Sequence, residues 1–497
     1  MNDKLPKGWT FPELHEIASI NMGQSPKSST YNEIGDGLPF FQGKAEFGKI
    51  YPTLKKFCTE PKKVAEKDDI LLSIRAPVGP TNLCPSKACI GRGLSAIRAV
   101  GPVIQKFLLY YFRSIEEWLS QQGTGTTFRA ISGNFIKELN VPLPPIPEQK
   151  RIAAKLDSLL AKVDACKARL DKVSEIIKRF RQSVLAAATS GKLTEDWREE
   201  NPNVDDVNEI LRKTQIYRER KYNEAITKAK SQGNKKPRPF KVNHNEIPTE
   251  ELAYIPETWK KERLVNISHI QGGVTKGRKL KGRDTVYLPY LRVANVQDGF
   301  LCLDEIKEIE LLVEDEDKYR LKFGDILFTE GGDRDKLGRG TVWRDEVKNC
   351  IHQNHIFRAR LYCSDILPEY ISIATKSDAA RKYFFDNASQ TVNLASINMT
   401  TLGDVPVALP PKQEQVEIVR RVEALFSIAD QLQEKLNAAK SRVDKLTASI
   451  LAKAFRGELV PHDPNDEPAE LLLQRIRAEQ EASKAKTKKG RLTKKKS

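Results

Sequence analysis

The sequence predicts an α+β protein built as a pseudo-twofold tandem repeat, with two globular domains joined by two long antiparallel coiled-coil helices. Three observations predict this fold. The two halves of the chain align with each other along most of their length, each half begins with short β-type segments broken by Gly, Pro and Asn, and each half ends in an unbroken heptad pattern. A chain of 497 residues is long enough for several domains, each with its own core.

The repeat is recognised by matching positions at a slowly drifting offset. Residues 5–9 match 255–259 and Gly23 matches Gly273, both at an offset of 250 residues. Further along the chain, Asp69 matches Asp325 at an offset of 256, Arg98 matches Arg358 at 260 and Glu148 matches Glu414 at 266. From Glu148 onward the offset stays at 266 as far as Gly191, which matches Gly457. The front of each half therefore differs in length between the copies, whereas the back does not.

The back of each half is predicted to be one long helix. Apolar residues recur there at alternating spacings of four and three, which is the signature of a coiled-coil seam. The seam positions are Ile152, Leu156, Leu159, Val163, Cys166, Leu170, Val173, Ile177, Phe180 and Val184, and in the second copy Ile418, Val422, Leu425, Ala429, Leu432, Leu436, Ala439, Val443, Leu446 and Ile450. Prolines before Glu148 and Glu414 and glycines at 191 and 457 delimit helices of about 42 residues. The first helix leads away from the first domain and the second leads back, so an antiparallel pair is expected.

These features divide the chain into six segments. The predicted segments are a first globular domain (1–147), a central helix region (148–200), a charged linker with a short helix (201–247), a second globular domain (248–411), a distal helix region (412–460) and a basic tail expected to be disordered (461–497).

Composition points to a polyanionic partner. The chain carries 83 Lys and Arg against 66 Asp and Glu, for a formal charge of +17 and a pI of about 9.3. Nucleic acid is the first expectation for such a balance. The start of the chain lacks a signal-peptide pattern, no stretch has the length of a membrane helix, and the seven cysteines form no C-x-x-C pair. A cytoplasmic protein that does not engage a membrane is predicted.

Motifs for catalysis are missing from the sequence. It contains no P-loop, no strand-linked G-x-G-x-x-G and no Asn- or Asp-Pro-Pro-aromatic motif of amino-methyltransferases, so no catalytic residue is assigned. Cys350, His352 and His355 with Cys363 form the best metal candidate, but their spacing is not that of a zinc finger and a strand explains them equally well. The segment 330–340 resembles a cation loop only weakly, so no metal site is assigned.

The architecture resembles the specificity subunits of type I restriction-modification enzymes over essentially the whole chain. The segments that carry the resemblance are 23–26 (Gly-Gln-Ser-Pro), 142–149 (Pro-Leu-Pro-Pro-Ile-Pro-Glu-Gln), 156–160, 178–185, 409–415, 418–423 and 450–459 (Ile-Leu-Ala-Lys-Ala-Phe-Arg-Gly-Glu-Leu), together with the Lys-rich end. The resemblance implies that the globular domains are target recognition domains, each of which reads one half of a bipartite site in double-stranded DNA.

The resemblance also implies partners and cofactors. Two modification (methyltransferase) subunits would bind the helices and methylate adenine, and two restriction subunits with ATP-driven translocation would join the same core. S-adenosylmethionine, ATP and Mg would then be used by those partner subunits, with no cofactor on this chain and no enzymatic activity of its own.

Candidate DNA-binding residues follow from the chemistry of base readout, in which Arg and Lys pair with guanine and Asn and Gln with adenine. In the first domain they are Gln24, Lys27, Ser28, Gln42, Lys44, Arg75, Arg92 and Arg129, and in the second domain Lys276, Arg278, Lys279, Arg292, Asn295, Arg334, Lys336, Arg339 and Asn354. Candidate partner-binding residues on the outer faces of the helices are Glu148, Gln149, Lys178, Arg179, Arg181, Glu414, Gln415, Arg420, Arg421 and Arg456.

Two other classes of function remain open at this stage. A structural coiled-coil adaptor would also carry two long heptad helices, although it would not need duplicated basic domains. A fused enzyme with an unrecognised active site is the other alternative, and methyl transfer by the purified chain alone would favour it.

Overall fold

The computed structural model describes residues 5–493 except 124–129, 250–251, 253–254, 278–279, 281, 333–336 and 391–394, with side chains described to residue 482. The chain forms two compact units. Unit 1 consists of Met1–Lys172 with Asn437–Ser497, and unit 2 consists of Val173–Leu436. Each unit therefore contains one globular domain and a part of both long helices.

Unit 1 is built on two small sheets. Its strands are β1 (Ala18–Met22), β2 (Tyr31–Asn32), β3 (Leu38–Phe41), β4 (Phe57–Cys58), β5 (Val64–Ala65), β6 (Ile70–Ser73), β7 (Thr81–Leu83), β8 (Ala88–Ile90) and β9 (Leu94–Ala99). One sheet has the order β1-β9-β6-β7 and is antiparallel, and the other has the order β2-β4-β3-β8-β5 with β3 and β8 parallel. Short helices complete the domain: α1 (Leu14–Ile17), α2 (Gln105–Ser114), α3 (Glu116–Gln122) and α4 (Gly133–Lys137). Apolar residues of α2 such as Phe107 and Phe112 are buried against the first sheet.

Unit 2 repeats this plan with additional short strands. Its strands are β10 (Lys260–Arg263), β11 (Ser268–Gly272), β12 (Thr285–Leu291), β13 (Lys307–Leu312), β14 (Ile326–Thr329), β15 (Gly331–Gly332), β16 (Gly340–Val342), β17 (Ile351–His352), β18 (Ile356–Leu361), β19 (Ser389–Gln390), β20 (Ala395–Ser396) and β21 (Pro406–Leu409). The sheet β11-β18-β14-β16 corresponds to the first sheet of unit 1, and β13-β12-β17 contains the parallel pair β12 and β17. Its short helices are α6 (Glu195–Glu200), α8 (Leu264–Ile267), α9 (Glu316–Tyr319), α10 (Pro368–Ala374), α11 (Asp378–Asp386) and α12 (Met399–Gly403).

Strand pairing corrects one detail of the sequence alignment. The side chain of Arg98 donates two hydrogen bonds to Asp69, at 2.6 and 2.9 Å. In unit 2 the residue that donates two hydrogen bonds to Asp325, both at 2.7 Å, is Arg360. Arg98 therefore corresponds to Arg360 and not to Arg358, which was matched to it by sequence.

The two long helices have the predicted length. They are α5 (Ile146–Thr189) and α13 (Lys412–Phe455), each of 44 residues. In unit 1 they pair in opposite directions, since Lys167 lies 2.8 Å from Asp444 and Asp171 lies 2.8 Å from Lys440. The predicted antiparallel pair is confirmed there, and in unit 2 the two helices are joined by a hydrogen bond of 2.6 Å between Arg181 and Asp430.

The heptad seam is only partly buried within the chain. Buried seam positions are Ile152, Leu156, Val163, Ile177, Val184, Ile418, Val422, Ala429 and Leu436. Exposed seam positions are Cys166, Val173, Phe180, Leu432 and Leu446. The heptad pattern thus describes a wider apolar surface than the helix pair covers by itself.

The Gln in the first turn of each long helix holds the globular domain to the helix. Gln149 accepts a hydrogen bond from the backbone N–H of Ile104 at 3.0 Å and donates one to the carbonyl of Pro144 at 2.9 Å. Gln415 accepts from the N–H of Leu367 at 2.8 Å and donates to the carbonyl of Pro410 at 2.9 Å. Both side chains are completely buried, so each amide satisfies backbone groups that water cannot reach.

The adjacent Glu ties the helix start to a second element. In unit 2 the carboxylate of Glu414 is fully buried and accepts hydrogen bonds from Trp259 Nε1 at 2.7 Å, Thr194 Oγ1 at 2.7 Å and Arg198 at 2.5 Å. In unit 1 the equivalent Glu148 is also buried and contacts His462 Nδ1 at 3.5 Å. The two copies thus share the carboxylate but differ in its partner.

A glycine follows the end of each long helix and lies against the first residues of a globular domain. Gly191 and Gly457 have φ values of +78° and +76°, the left-handed region that favours glycine. A Cβ at Gly191 would lie 2.4 Å from Pro256, and one at Gly457 would lie 2.4 Å from Pro6. This contact explains why a proline three residues before the tryptophan recurs in both halves.

The basic tail is not disordered up to residue 482, so that prediction is wrong for this part. Helix α14 (Ala469–Thr493) buries Leu472, Leu473 and Ile476 in the core of unit 1. Its first residue also donates a backbone hydrogen bond to Gly8 at 2.9 Å. The corresponding helix of unit 2 is α7 (Val207–Ser231), which was predicted as the short helix of the linker.

We predict that Arg198→Gln destabilises unit 2 strongly. The substitution leaves a buried carboxylate without its cation, which costs about 3 kcal/mol or more in comparable cases. The measurement is hydrogen exchange at backbone amides of unit 2 at increasing urea concentration. The urea concentration at which half of unit 2 is unfolded is the exchange midpoint. Arg212→Gln, which breaks an exposed ion pair with Glu209 on α7, is the matched control and should leave the exchange midpoint unchanged. Equal midpoints for the two variants would contradict the structural role of Glu414.

Candidate nucleic-acid interface

Four loops of unit 1 meet where the parallel strands β3 and β8 end. Gly91 donates its backbone N–H to Phe41 at 2.8 Å, and Gln24 donates to Ile90 at 3.1 Å. The Arg92 N–H bonds Ser25 Oγ at 3.3 Å, which joins the loop after β8 to the loop after β1. These bonds bring the segments 23–28, 42–44 and 91–93 to one edge of the sheet.

A fourth segment joins the same edge through β6. The Ile74 N–H donates to Gly93 at 2.9 Å, and Ile131 donates to Ile74 at 3.0 Å. Arg75 is thereby placed beside the loop that carries Arg92, and it pairs in an isolated bridge with Ala130. We call residues 23–28, 42–44, 74–75 and 91–93 the first reading face.

Tyr31 contacts two segments of this face, and the sequence analysis did not identify it. Its hydroxyl donates to the carbonyl of Pro26 at 2.9 Å and hydrogen-bonds the side chain of Gln42. Its ring packs on Phe40 with centroids 4.6 Å apart. Burial raises the pKa of Tyr31, so the phenol keeps the proton that it donates. Only a tertiary contact reveals this role, because nothing in the local sequence distinguishes Tyr31 from a core aromatic.

Most first-domain candidates lie on this face. The exposed side chains there are Gln24, Lys27, Ser28, Gln42, Lys44, Arg75 and Arg92. Arg129 lies outside the described residues. Within the described part of the chain Lys27, Arg75 and Arg92 form no ion pair, so their charges face solvent. The structure therefore brings exposed hydrogen-bond donors and acceptors from four separate loops to one edge of the sheet.

Unit 2 reproduces the same backbone arrangement. Gln353 donates its N–H to Leu291 at 3.0 Å, Val274 donates to His352 at 2.8 Å and Glu330 donates to His355 at 3.0 Å. Each of these bonds has a counterpart in unit 1 between equivalent positions. We call residues 273–276, 292, 330–331 and 353–355 the second reading face, in which Asn354 occupies the position that Arg92 has in the first.

The second reading face contains two of the predicted side chains in accessible positions. Lys276 is exposed, and its ammonium lies 5.3 Å from the ring centroid of Tyr290. Asn354 is half-buried, with its amide 3.4 Å from His355 Nε2. His355 Nδ1 itself hydrogen-bonds the Glu330 carboxylate, a contact that the sequence analysis did not anticipate.

Two further candidates of unit 2 have structural roles. Asn295 is buried, accepts a hydrogen bond from the Arg292 N–H and donates to the carbonyls of Cys302 and Glu305, at 2.8, 2.8 and 3.1 Å. Assigning it to base readout was wrong, because all of these bonds close its own turn. The guanidinium of Arg292 lies 3.1 Å from the Glu305 carboxylate, which offsets its charge.

Five candidates of unit 2 remain. The structure describes one of them, and the other four lie outside the described residues. Arg339 is half-buried and donates to Gln297 Oε1 at 3.0 Å. Outside the described residues lie Arg278, Lys279, Arg334 and Lys336.

A buried cation lies beneath the second reading face. Arg358 is almost fully buried and donates to Gln271 Oε1 at 2.6 Å, and burial lowers its pKa to about 10. Burial and the nearby Arg358 lower the pKa of His352 to about 3 and that of His269 to about 4. Both imidazoles are therefore neutral at physiological pH, and the positive charge of this region comes from Arg and Lys.

The cysteine and histidine segment that was weighed as a metal site is part of the strand scaffold. His352 Nδ1 lies 2.9 Å from the carbonyl of Ile356, whereas the Cys350 thiol donates to the carbonyl of Ile351 at 3.4 Å. Burial raises the pKa of the Cys350 thiol to about 12. Among the described residues, no group of three or more His, Cys, Asp or Glu has the arrangement of a metal site.

The ten candidate partner-binding residues fall into two groups. Glu148, Gln149, Glu414 and Gln415 are fully buried and hold the helix starts, so placing them on an outer face was wrong. Side chains with at least partial exposure are Lys178, Arg179, Arg181, Arg420, Arg421 and Arg456. Of these, Arg421 is committed to Asp196 and Glu417, and these two contacts raise its pKa.

No helix in the described part of the chain is long and apolar enough to cross a membrane.

The family model and the relatives that match this chain are all described as type I restriction specificity proteins. The family model described as the type I restriction modification DNA specificity domain matches residues 6–175 and 256–439. The EcoKI specificity subunit of Escherichia coli K12 is 29% identical, with 97% of this chain and 98% of that chain covered. The StySPI specificity subunit of Salmonella potsdam is 28% identical with the same coverage.

Among solved structures, the HsdS subunit from Thermoanaerobacter tengcongensis is 46% identical over 34% of this chain and 41% of that chain, with a TM-score of 0.32. The family model matches twice, and the two matches together span more than half of the sequence. The chain therefore belongs to the family of type I restriction-modification DNA specificity proteins.

Proposed function

We propose that this chain is the sequence-specific DNA-binding specificity subunit of a type I restriction-modification complex, with each recognition domain reading one half of a bipartite site. It is non-catalytic and directs adenine methylation and restriction by its partner subunits. The observation that carries the proposal is the recurrence of one loop arrangement in both units, with Gln24 and Arg92 exposed on the first face and Lys276 and Asn354 accessible on the second. An adaptor without DNA readout would not need this duplicated arrangement.

The proposed assembly contains double-stranded DNA, two modification subunits and two restriction subunits, and it works in the cytoplasm. S-adenosylmethionine would be used by the modification subunits, and ATP and Mg by the restriction subunits. The charge of +17 supports a polyanionic partner.

An exposed apolar surface on the long helices of unit 2 supports binding of a modification subunit. Val173, Ile176 and Phe180 on α5 and Ile428 and Leu432 on α13 are all exposed. Apolar clusters of this kind in a water-soluble protein mark interaction sites. Lys178 and Arg179 are exposed on the same stretch of α5 and would form the polar rim.

We predict that replacing residues 1–147 with the equivalent domain of a relative changes one half of the recognised site and leaves the other half unchanged. The reason is that all the bonds that assemble the first reading face, including the one from Ile131 to Ile74, join residues of this segment. Mapping methylated adenines in host DNA before and after the exchange measures both halves. A change in both halves would show that the domains do not read independently.

We predict that Arg92→Ala weakens binding to a duplex with the mapped site by about 10- to 100-fold, the usual loss for one base contact. The loss should be much smaller on a duplex in which the half-site read by unit 1 is scrambled. Lys87→Ala removes an exposed charge at the other end of β8 and should have little effect on either duplex. Equal losses on both duplexes would assign Arg92 to a phosphate instead of a base.

We predict that the double variant Ile176→Ser with Leu432→Ser prevents stable assembly with the modification subunits while unit 2 stays folded. The substituted side chains are 62% and 50% exposed, so their loss creates no internal cavity. Phe323→Ser, at a side chain 68% exposed elsewhere in unit 2, is the matched control. Co-purification on a gel-filtration column measures assembly, and normal assembly of the double variant would exclude this surface.

A further inference from the structure

A basic segment of the inter-repeat linker lies across unit 2 and is not explained by base readout. From Ser231 to Asn245 the chain contains no acidic residue, while it contains Lys235, Lys236, Arg238 and Lys241. All four cationic side chains are exposed. We call residues 235–241 the basic strap.

The strap is held in a defined position. The Tyr222 hydroxyl on α7 donates to the carbonyl of Pro237 at 3.3 Å. The ring of Phe240 packs against His269 and Tyr362, with centroid distances of 5.6 and 5.7 Å. Two prolines, at 237 and 239, restrict the backbone further. A segment with these anchors displays its charges in a fixed geometry.

The residues that follow the strap are anchored as well. The Asn243 N–H donates to Asn266 Oδ1, the Asn266 amide donates back to the Asn243 carbonyl, and the Asn243 amide donates to Asp404, all at 2.8 Å. These bonds leave the strap little freedom at its C-terminal end.

The strap borders the second reading face. Arg238, Lys241 and Met399 line the same surface cavity of about 290 Å³, together with His269 and Tyr362. A Cβ built on Gly272 would lie 3.7 Å from Met399 Sδ and 3.7 Å from the carbonyl of Asn354. Gly272 therefore lies next to both Met399, which lines the cavity beside the strap, and the loop that carries Asn354.

The strap charges are uncompensated, in contrast to the charge of Arg292 on the second reading face. The guanidinium of Arg292 is paired with the carboxylate of Glu305. Within the described residues, neither Arg238 nor Lys241 forms an ion pair, and Lys241 has Thr400 Oγ1 as a neutral contact at 3.4 Å. The imidazole of His269 beneath the strap is neutral, because burial and Arg358 hold its pKa at about 4. The strap thus presents four exposed cations within seven residues beside the second reading face.

We propose that the basic strap binds the phosphate backbone of duplex DNA next to the half-site read by unit 2. Because these contacts are made to phosphate groups and not to base edges, their contribution is independent of base sequence. The proposal extends the proposed function, since it assigns phosphate binding to the linker as a task separate from base readout by the loops.

The test compares two double variants of the full-length chain on a random-sequence duplex of about 40 base pairs. The strap variant is Arg238→Gln with Lys241→Gln. The control variant is Lys322→Gln with Lys348→Gln, which removes two exposed charges near the opposite end of β14. Two lost phosphate contacts should make the negative slope of log affinity against log salt less steep by about 1.8. The ratio of wild-type to strap-variant affinity should then fall about tenfold between about 50 and 200 mM salt.

A charge-preserving variant, Arg238→Lys with Lys241→Arg, should keep the wild-type slope and shows that the strap is still folded against unit 2. An unchanged slope in the Gln variant would overturn the proposal. If that variant instead weakened assembly with the modification subunits, the strap would be a protein-docking surface. Because the random duplex contains no chosen site, strap binding is measured even if base readout by the loops were disproved. Conversely, methylation mapping should show the same half-sites for the strap variant and the wild type.

Discussion

The buried Glu-Gln pair in the first turn of each long helix is the constraint on which the rest of the molecule depends. Gln149 and Gln415 bond backbone groups on both sides of the junction, so the last strand or loop of the domain and the first turn of the helix form one rigid piece. Glu414 adds the tryptophan near the domain start and Arg198 beyond the end of α5. An inserted residue between these groups would break several buried bonds at once. This explains why the offset between the copies is constant from here onward but drifts in the domains.

Rigidity at the junction allows variation at the opposite edge of the sheet. The reading loops follow the ends of β3, β8, β12 and β17, and three of the backbone bonds that join them recur at equivalent positions in both units. The side chains differ: Arg92 in one copy corresponds to Asn354 in the other. A scaffold of main-chain bonds that tolerates either residue can present different donors and acceptors without a change of fold. Different half-sites can therefore be read by one architecture.

Much of the fold could be predicted from sequence, because repetition and heptad spacing are strong periodic signals. The helix limits followed from Pro before Glu148 and Gly at 191, and both are confirmed by the structure. The failures have a common cause, which is that burial of polar groups depends on tertiary contacts. Gln149 and Asn295 look like surface residues in the sequence, yet each satisfies backbone groups that become buried only after folding. For the tail, high charge concealed the amphipathic face of α14 that packs on unit 1.

The two copies also distribute charge differently, and this difference connects the reading faces to the linker. The first face has Lys27, Arg75 and Arg92 exposed and without ion pairs among the described residues, so its loops carry positive charge of their own. In the second face the charge of Arg292 is offset by Glu305 and that of Arg358 is buried, which leaves Lys276 as the exposed cation of the face among the described residues. A face whose cations are mostly offset or buried attracts phosphate more weakly than one whose cations are exposed. The basic strap places four further exposed cations beside the second face, and under the proposal above these supply the attraction for phosphate at unit 2.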